Sequence, residues 1–419
     1  MAFAGIILIA FAAFYVGTHL FWRFSLPVVL DSLRAGRFHY LLFGVLIGMF
    51  FPEDDSLYRL FDELRYSLIG VVLVAFGFQT GLTFDFRIFR QYPNSQILSL
   101  STQILAAFLL MVLLSVGVGP LLTRYLGVKG GLLLSSALLG TIAVSLRHPE
   151  PVFRWGKRSY STHPGIPESP NALFNSAGLI LFGIAFPATI ENSVFQFGSF
   201  ALVGYFGTLT LLLGLGLLLG FAVDFIFRAY RESYQGAFLS IGIMFVIGGL
   251  CIQLQIPGLV AGFLGGSWLI NTTVRKREVL EITDRSVAII GPIFFILLGS
   301  FIGGYGGSPF FRTGPLVPFA VALLIGRGLV RMLGMVISGR LWSERKADSF
   351  GIKFSWPPLG SLSICIAVQA IHLPLELHHN TLIAGTVLAV FLSQLVIVSP
   401  QRSALVSQAR PSRSIPTGG

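Results

Sequence analysis

Apolar runs of close to twenty residues recur from one end of the chain to the other, separated by short polar connections. Thirteen can be counted, at about 2–21, 38–52, 66–83, 95–117, 129–146, 171–190, 198–227, 235–253, 256–272, 286–305, 315–338, 355–372 and 380–399. A helix rises about 1.5 Å per residue, so runs of this length suit a hydrocarbon layer about 30 Å thick. No soluble domain of useful length remains between them. Residues 2–20 lack a basic leader and run longer than a signal peptide's apolar segment, so they read as a retained first span. The end of the chain, QRSALVSQARPSRSIPTGG, is polar and rich in Ser and Pro and reads as a disordered tail. The expected fold is an all-α polytopic membrane protein of about 13 transmembrane helices, with one transmembrane domain over 1–400 and a cytoplasmic tail over 401–419.

Composition agrees with that pattern. Hydrophobic residues make up 54% of the 419 and charged residues only 11%, more apolar surface than one soluble core encloses. The net charge of +11 raises the question of nucleic acid, but the basic residues form no clustered patch and no nucleic-acid partner is expected. They are sorted by loop instead. With the N-terminus outside, most of the Lys and Arg fall on the cytoplasmic side, among them Arg23, Arg87, Arg154, Lys157, Arg228, Arg275, Lys276, Arg277, Arg345 and Arg413. The outer loops carry Arg59, Arg65, Arg124, Lys129 and Arg312. That asymmetry predicts a multi-pass protein of the cell (inner) membrane with a cytoplasmic C-terminus and the lipid bilayer as its partner.

Several chemistries find no support. Cys251 and Cys365 sit in separate apolar helices and read as small core residues. His378 and His379 are adjacent and point about 100° apart on a helix, so no metal site is expected. Walker-type loops and His-Glu-x-x-His are absent from the sequence, and no cofactor is expected. Gly216-x-x-x-Gly220 and Gly258-x-x-x-Gly262, in apolar helices, read as sites of close helix packing.

A many-spanned chain without soluble catalytic domains suggests a transporter, a channel or an intramembrane enzyme, so internal symmetry matters. The fifth and twelfth runs are seven apart, and an odd offset makes them run in opposite directions. Both are interrupted: the fifth leaves through RHPEPV, with Pro149 and Pro151, and the twelfth begins through SWPPLGSLS, with Pro357, Pro358 and Gly360. Paired Pro/Gly interruptions in opposite halves point to crossed, discontinuous helices whose loose ends form a midplane site; ordinary loop punctuation is the other reading.

Charges at bilayer depth add to this. Arg327 and Arg331 lie in the middle of the eleventh run, four residues apart and so on one helix face. Each costs about 2.5–3.5 kcal/mol at a helix centre on the insertion scale, so acidic or carbonyl partners are expected. Candidate carboxylates are Glu150 in the fifth run's break and Glu168 at the mouth of the sixth, both of which also read as solvated loop residues. Asp224 reads as an end-of-helix acid facing Arg228.

At these residues the chain resembles the monovalent cation:proton antiporter (sodium/proton exchanger) superfamily. LLFGVLIGMFFP, LIGVVLVAFGFQTGLTFDFRIFR, LLGTIAVSLRHPEPV, AGFLGGSWLINTT and IGPIFFILLGSFIGG resemble family segments in order over about 35–400. The resemblance implies an inverted-repeat fold with two crossed discontinuous helices, a homodimer, and exchange of Na⁺ or K⁺ for protons by alternating access; no enzymatic activity is expected. It places Glu150 on the aspartate of a Thr-Asp-Pro break, and Asn175 on the asparagine of an Asn-Asp pair. Ser176 stands where that pair's aspartate is expected. It sets Arg327 near the family's basic position and Glu168 near the glutamate that neutralises it. A serine hydroxyl ligates a cation but does not release a proton near neutral pH, so the titrating group falls to Glu150, with His148 beside it as a modulating or relaying group. The alternatives are a divergent member that moves another solute or acts as a non-transporting sensor, and a membrane enzyme acting on lipid-linked substrate.

Overall fold

The computed structural model describes residues 38–50, 56–90, 94–117, 132–145, 169–189, 201–229, 233–304, 316–341, 359–369 and 382–393. Among these the regular structure is helical: α1 Phe38–Phe50, α2 Ser56–Leu82, α3 Asn94–Gly117, α4 Leu132–Val144, α5 Ser169–Ala185, α6 Ala201–Ala229, α7 Ser233–Gln253, α8 Gly258–Thr272, α9 Lys276–Gly304, α10 Leu316–Leu341 and α11 Ser361–Gln369. A further apolar helix, α12, covers Leu382–Ser393. Each of these matches one apolar run of the sequence; the run at 2–21 and the tail at 401–419 lie outside the described residues. Among the described residues four helical stretches are long and apolar enough to cross a membrane: Leu64–Leu82, Ile97–Gly117, Gly204–Ala229 and Leu316–Leu341. Their outward faces carry Leu113, Phe221, Phe225 and Leu329 at 54% exposure or more, as expected of side chains solvated by lipid.

Glycine sets the closest contacts. A Cβ on Gly77 would lie 2.0 Å from the Leu259 carbonyl oxygen, and one on Gly81 would lie 2.1 Å from that of Phe263. From the other side, a Cβ on Gly262 or Gly266 would lie 2.1 Å from the carbonyl oxygens of Val74 and Phe78. Both partners advance by four residues together, so α2 and α8 run parallel with their backbones nearly touching. Small residues are favoured where lipid-soluble helices pack, because dispersion between close backbones drives the association. The same device joins α1 to α9: Gly299 faces the Leu41 carbonyl and Gly303 that of Val45, again in parallel. Gly216 and Gly220 pack α6 on Leu264 and Gly265 of α8. The glycine motifs at 216 and 258 are therefore packing sites, as the sequence suggests.

Helix α3 pairs with α10 in the opposite sense, with Ser99 Oγ 2.8 Å from Ser338 Oγ at one end and Gly326 against Leu114 and Met111 at the other. All three directions agree with the alternation that the run count requires. Two groups of helices result. One contains α1, α2, α6, α7, α8 and α9; the other contains α3, α4, α5, α10 and α11, and the two meet along α5 and α11 against α2 and α8. Phe38 of α1 also stacks edge-on against Phe391 of α12, with centroids 5.5 Å apart.

Polar clamps hold the ends. Asn271 donates Nδ2 to the Phe84 carbonyl at 2.9 Å and accepts from the Phe86 amide at 2.9 Å. Lys276 forms an ion pair with Asp85. Arg275 donates to the Phe227 carbonyl at the end of α6 at 3.1 Å. Asp224 meets Arg228 at 2.7 Å, the end-of-helix pair the sequence suggests. Arg65 departs from expectation. Placed in an outer loop by the apolar pattern, it is 2% exposed inside α2, its guanidinium carbon 5.0 Å from the centroid of Phe301. The aromatic face and the aliphatic stem make burial tolerable for a side chain that hydropathy counts as polar.

Candidate functional site

Helix α4 is described from Leu132 to Val144. It stops at Val144, and Ser145 is non-helical and 1% exposed, so the helix ends inside the protein. A helix C-terminus leaves its last carbonyls without helical donors and carries partial negative charge. Here the carbonyls of Thr141, Ile142, Ala143 and Ser145 have donors from the protein. The Ser145 amide donates to the Thr141 carbonyl at 2.9 Å. The Ser145 hydroxyl donates to that of Ile142 at 2.8 Å.

Arg327 supplies the rest. Fully buried at 0% exposure, it donates Nε to the Ala143 carbonyl at 3.2 Å and Nη2 to the Ser145 carbonyl at 2.9 Å. Hydrogen bonds to charged donors contribute about 1.5–3 kcal/mol each. Two of them are of the same order as the cost of placing the guanidinium at that depth. The carbonyl partners expected for this residue are thus the loose end of the broken helix itself. The carbonyls of Ile142, Ala143 and Ser145 are engaged by protein donors.

The second interrupted segment meets the first at this point. Leu359 and Gly360 are buried and non-helical, and α11 begins at Ser361 after them. The Ser363 amide donates to the Gly360 carbonyl at 3.1 Å. The Ser363 hydroxyl lies 2.7 Å from that of Ser145. Because Ser145 spends its proton on Ile142, Ser363 is the donor of this pair. Ser393 of α12 accepts from the Leu359 amide at 3.1 Å. The end of α4 and the start of α11, from opposite halves of the chain, therefore touch.

Helix α5 lines the same region. A Cβ on Gly178 would lie 3.4 Å from Val144 in the last turn of α4. One turn before it, Asn175 and Ser176 are 1% and 0% exposed. The Ser176 hydroxyl is buried with no hydrogen-bond partner among the described residues. Arg331 sits one turn beyond Arg327, its guanidinium carbon 4.8 Å from the centroid of Phe174. Its Nη1 likewise finds no hydrogen-bond partner among the described residues. The structure therefore brings Arg327, Arg331, Asn175, Ser176 and Gly360 to the neighbourhood of the α4 break. His148, Pro149, Glu150, Pro151, Glu168, Pro357 and Pro358 lie outside the described residues.

Charge here is one-sided. Helices α3, α4, α5, α10, α11 and α12 contain no Asp or Glu in their sequences, while α10 brings two buried-facing guanidiniums. None of these six helices supplies an acid to the site. Sequence reasoning missed Ser145 and Ser363, although each flanks an interruption where hydroxyls commonly satisfy loose backbone groups. It also missed Gln369, whose Oε1 accepts from the Leu259 amide at 3.1 Å.

No family model matches the chain. Over 401 residues, 92% of this chain and 94% of its relative, it is 24% identical to the protein named "Ammonium/H(+) antiporter subunit AmhT" of Alkalihalophilus pseudofirmus.

Proposed function

We propose that this chain is a multi-pass membrane protein that exchanges a monovalent cation for protons by alternating access. The observation that carries the reading is the end-to-end meeting of α4 and α11 beside a fully buried arginine. Two discontinuous helices at membrane depth create polar groups that a static membrane protein has little use for and a transport site requires. Pairing order supports an inverted repeat. Under an offset of seven runs, the α1–α9 pair maps onto the α8–α2 pair, and both are parallel and glycine-lined. The α3–α10 and α4–α11 contacts map onto themselves.

Function at family level is further supported by the similarity to an ammonium/H⁺ antiporter subunit over most of both chains. In this reading Glu150 holds the proton and the cation in turn, and Ser176 and Asn175 contribute oxygen ligands. His148 modulates the site, and Glu168 neutralises Arg327. Arg327 keeps the carbonyl end of α4 from competing for the cation. Na⁺, K⁺ and ammonium are the candidate cations; the last follows from the relative's name and from a hydroxyl-lined site, which accepts N–H donors readily. The chain forms one transport domain over 1–400, homodimeric, with the N-terminus outside and the C-terminus in the cytoplasm.

The test is the collapse of a respiration-driven pH gradient in everted vesicles on addition of each cation in turn. Exchange that disappears in Glu150→Gln supports the assignment, and full exchange in that variant removes it. A second reading is favoured by one observation, the serine at 176 in a group of helices without acids: the same fold moves another solute or senses one. Exchange gained only on Ser176→Asp selects that reading.

A further inference from the structure

Helix α11 is held at two points, one against each group of helices. At its start the Ser363 hydroxyl bonds Ser145 at the α4 break at 2.7 Å. Six residues further on, Gln369, 1% exposed, accepts from the Leu259 amide at 3.1 Å. Leu259 lies in the first turn of α8, and that turn is buried: Gly258, Leu259, Val260 and Ala261 are all shielded from solvent. A buried helix N-terminus must find acceptors for its amides. Those of Val260 and Ala261 turn back to the Pro257 carbonyl, at 3.0 and 3.2 Å. The Leu259 amide is satisfied instead from the other helix group, by a neutral side chain six residues along α11 from Ser363.

We propose that Gln369 is a positioning residue that couples the α4 break to the boundary between the two helix groups. A helix is stiff over two turns, and Ser363 and Gln369 are separated by about 9 Å of rise. A displacement of Ser145, by cation or proton arriving at the break, is carried along α11 to the Gln369–Leu259 contact. When the groups shift, that contact breaks and leaves a buried amide without its acceptor. The contact therefore sets part of the barrier to movement and holds the observed arrangement. The coupling rests on the antiport reading above; the contact itself does not.

The experiment uses full-length protein in proteoliposomes with two substitutions of similar size. Gln369→Met keeps length and helix propensity but removes the acceptor, and is expected to raise the maximal exchange rate about two- to tenfold, the size of one hydrogen bond in rate. Gln369→Glu keeps an acceptor oxygen at the same reach whether or not the carboxyl is protonated, and is expected to leave the rate near that of wild type. Hydrogen–deuterium exchange over 258–262 is expected to rise in the first variant relative to wild type. A structural role alone impairs both variants in the same direction. That outcome, or unchanged deuterium uptake in Gln369→Met, overturns the proposal. A wild-type protein that exchanges no cation for protons defeats the antiport reading while the deuterium result still decides the contact.

Discussion

Arg327 of α10 holds the carbonyl of Ser145 at 2.9 Å across 182 residues of sequence, with its guanidinium fully buried. The charge is placed where a helix dipole ends and two carbonyls lack helical donors, so one residue answers both the electrostatic and the hydrogen-bonding demand of the break.

Removing it leaves both acceptors buried and unmet. Arg327→Met is expected to lower stability by about 2–6 kcal/mol, from about 1–3 kcal/mol for each unsatisfied carbonyl. Arg327→Lys keeps the charge but lacks the planar fork, so it is expected to fall between. Thermal unfolding of the purified protein in detergent measures both, and equal midpoints for Met and Lys contradict the two-carbonyl account.

Backbone contact between α2 and α8 gives a sharper contrast. A methyl group at Gly262 meets the Val74 oxygen at 2.1 Å, and neither backbone can yield without parting the helices. Gly242→Ala meets nothing within 4 Å. Gly262→Ala is expected to lower the unfolding midpoint by several degrees or abolish expression. Gly242→Ala is expected to leave it unchanged or slightly raised, because alanine favours the helix by about 1 kcal/mol.

Much of this architecture is legible in sequence because lipid simplifies the code. Run length locates α1 to α12, since each helix satisfies its own backbone. The end of α4 and the start of α11 lie next to the proline clusters of the sequence, at 149–151 and 357–358. Arg327 is visible because a cation at that depth requires a partner, and carbonyls were among those expected. The identity of that partner is not visible: nothing in periodicity indicates that α10 places Arg327 against residues 143 and 145. Arg65 was misplaced for the same reason, since hydropathy scores a charge without knowing that Phe301 lies beneath it. Ser145, Ser363 and Gln369 are polar residues whose meaning depends on helices far away in the chain.

The ion pair between Asp85 and Lys276 ties the end of α2 to the start of α9, with side chains 12% and 23% exposed. Asp85 Oδ1 also accepts the Arg87 amide at 3.0 Å, a bond that Asp85→Asn retains. A double-mutant cycle of Asp85→Asn with Lys276→Met therefore isolates the charge interaction. A coupling of about 0.5–3 kcal/mol is expected for directly paired groups, falling as salt is raised. A coupling of zero places the pair among surface contacts that contribute nothing to holding the two helices.

Ser176 separates the functional reading from the structural one most cleanly. Its hydroxyl is buried at 0% exposure and bonds to nothing among the described residues, so Ser176→Ala removes no protein–protein hydrogen bond there. An unmet buried hydroxyl is a cost to folding, about 1–3 kcal/mol, and a side chain retained at that cost is expected to have an occupant at some stage of its work. Folding stability in Ser176→Ala is therefore expected to stay the same or rise. If the hydroxyl ligates the travelling cation, the same variant raises KM severalfold and leaves kcat nearly unchanged, the signature of binding lost equally in ground and transition states. A stable Ser176→Ala protein with unaltered KM for Na⁺, K⁺ and ammonium removes Ser176 from the binding site and leaves Glu150 to act with other ligands.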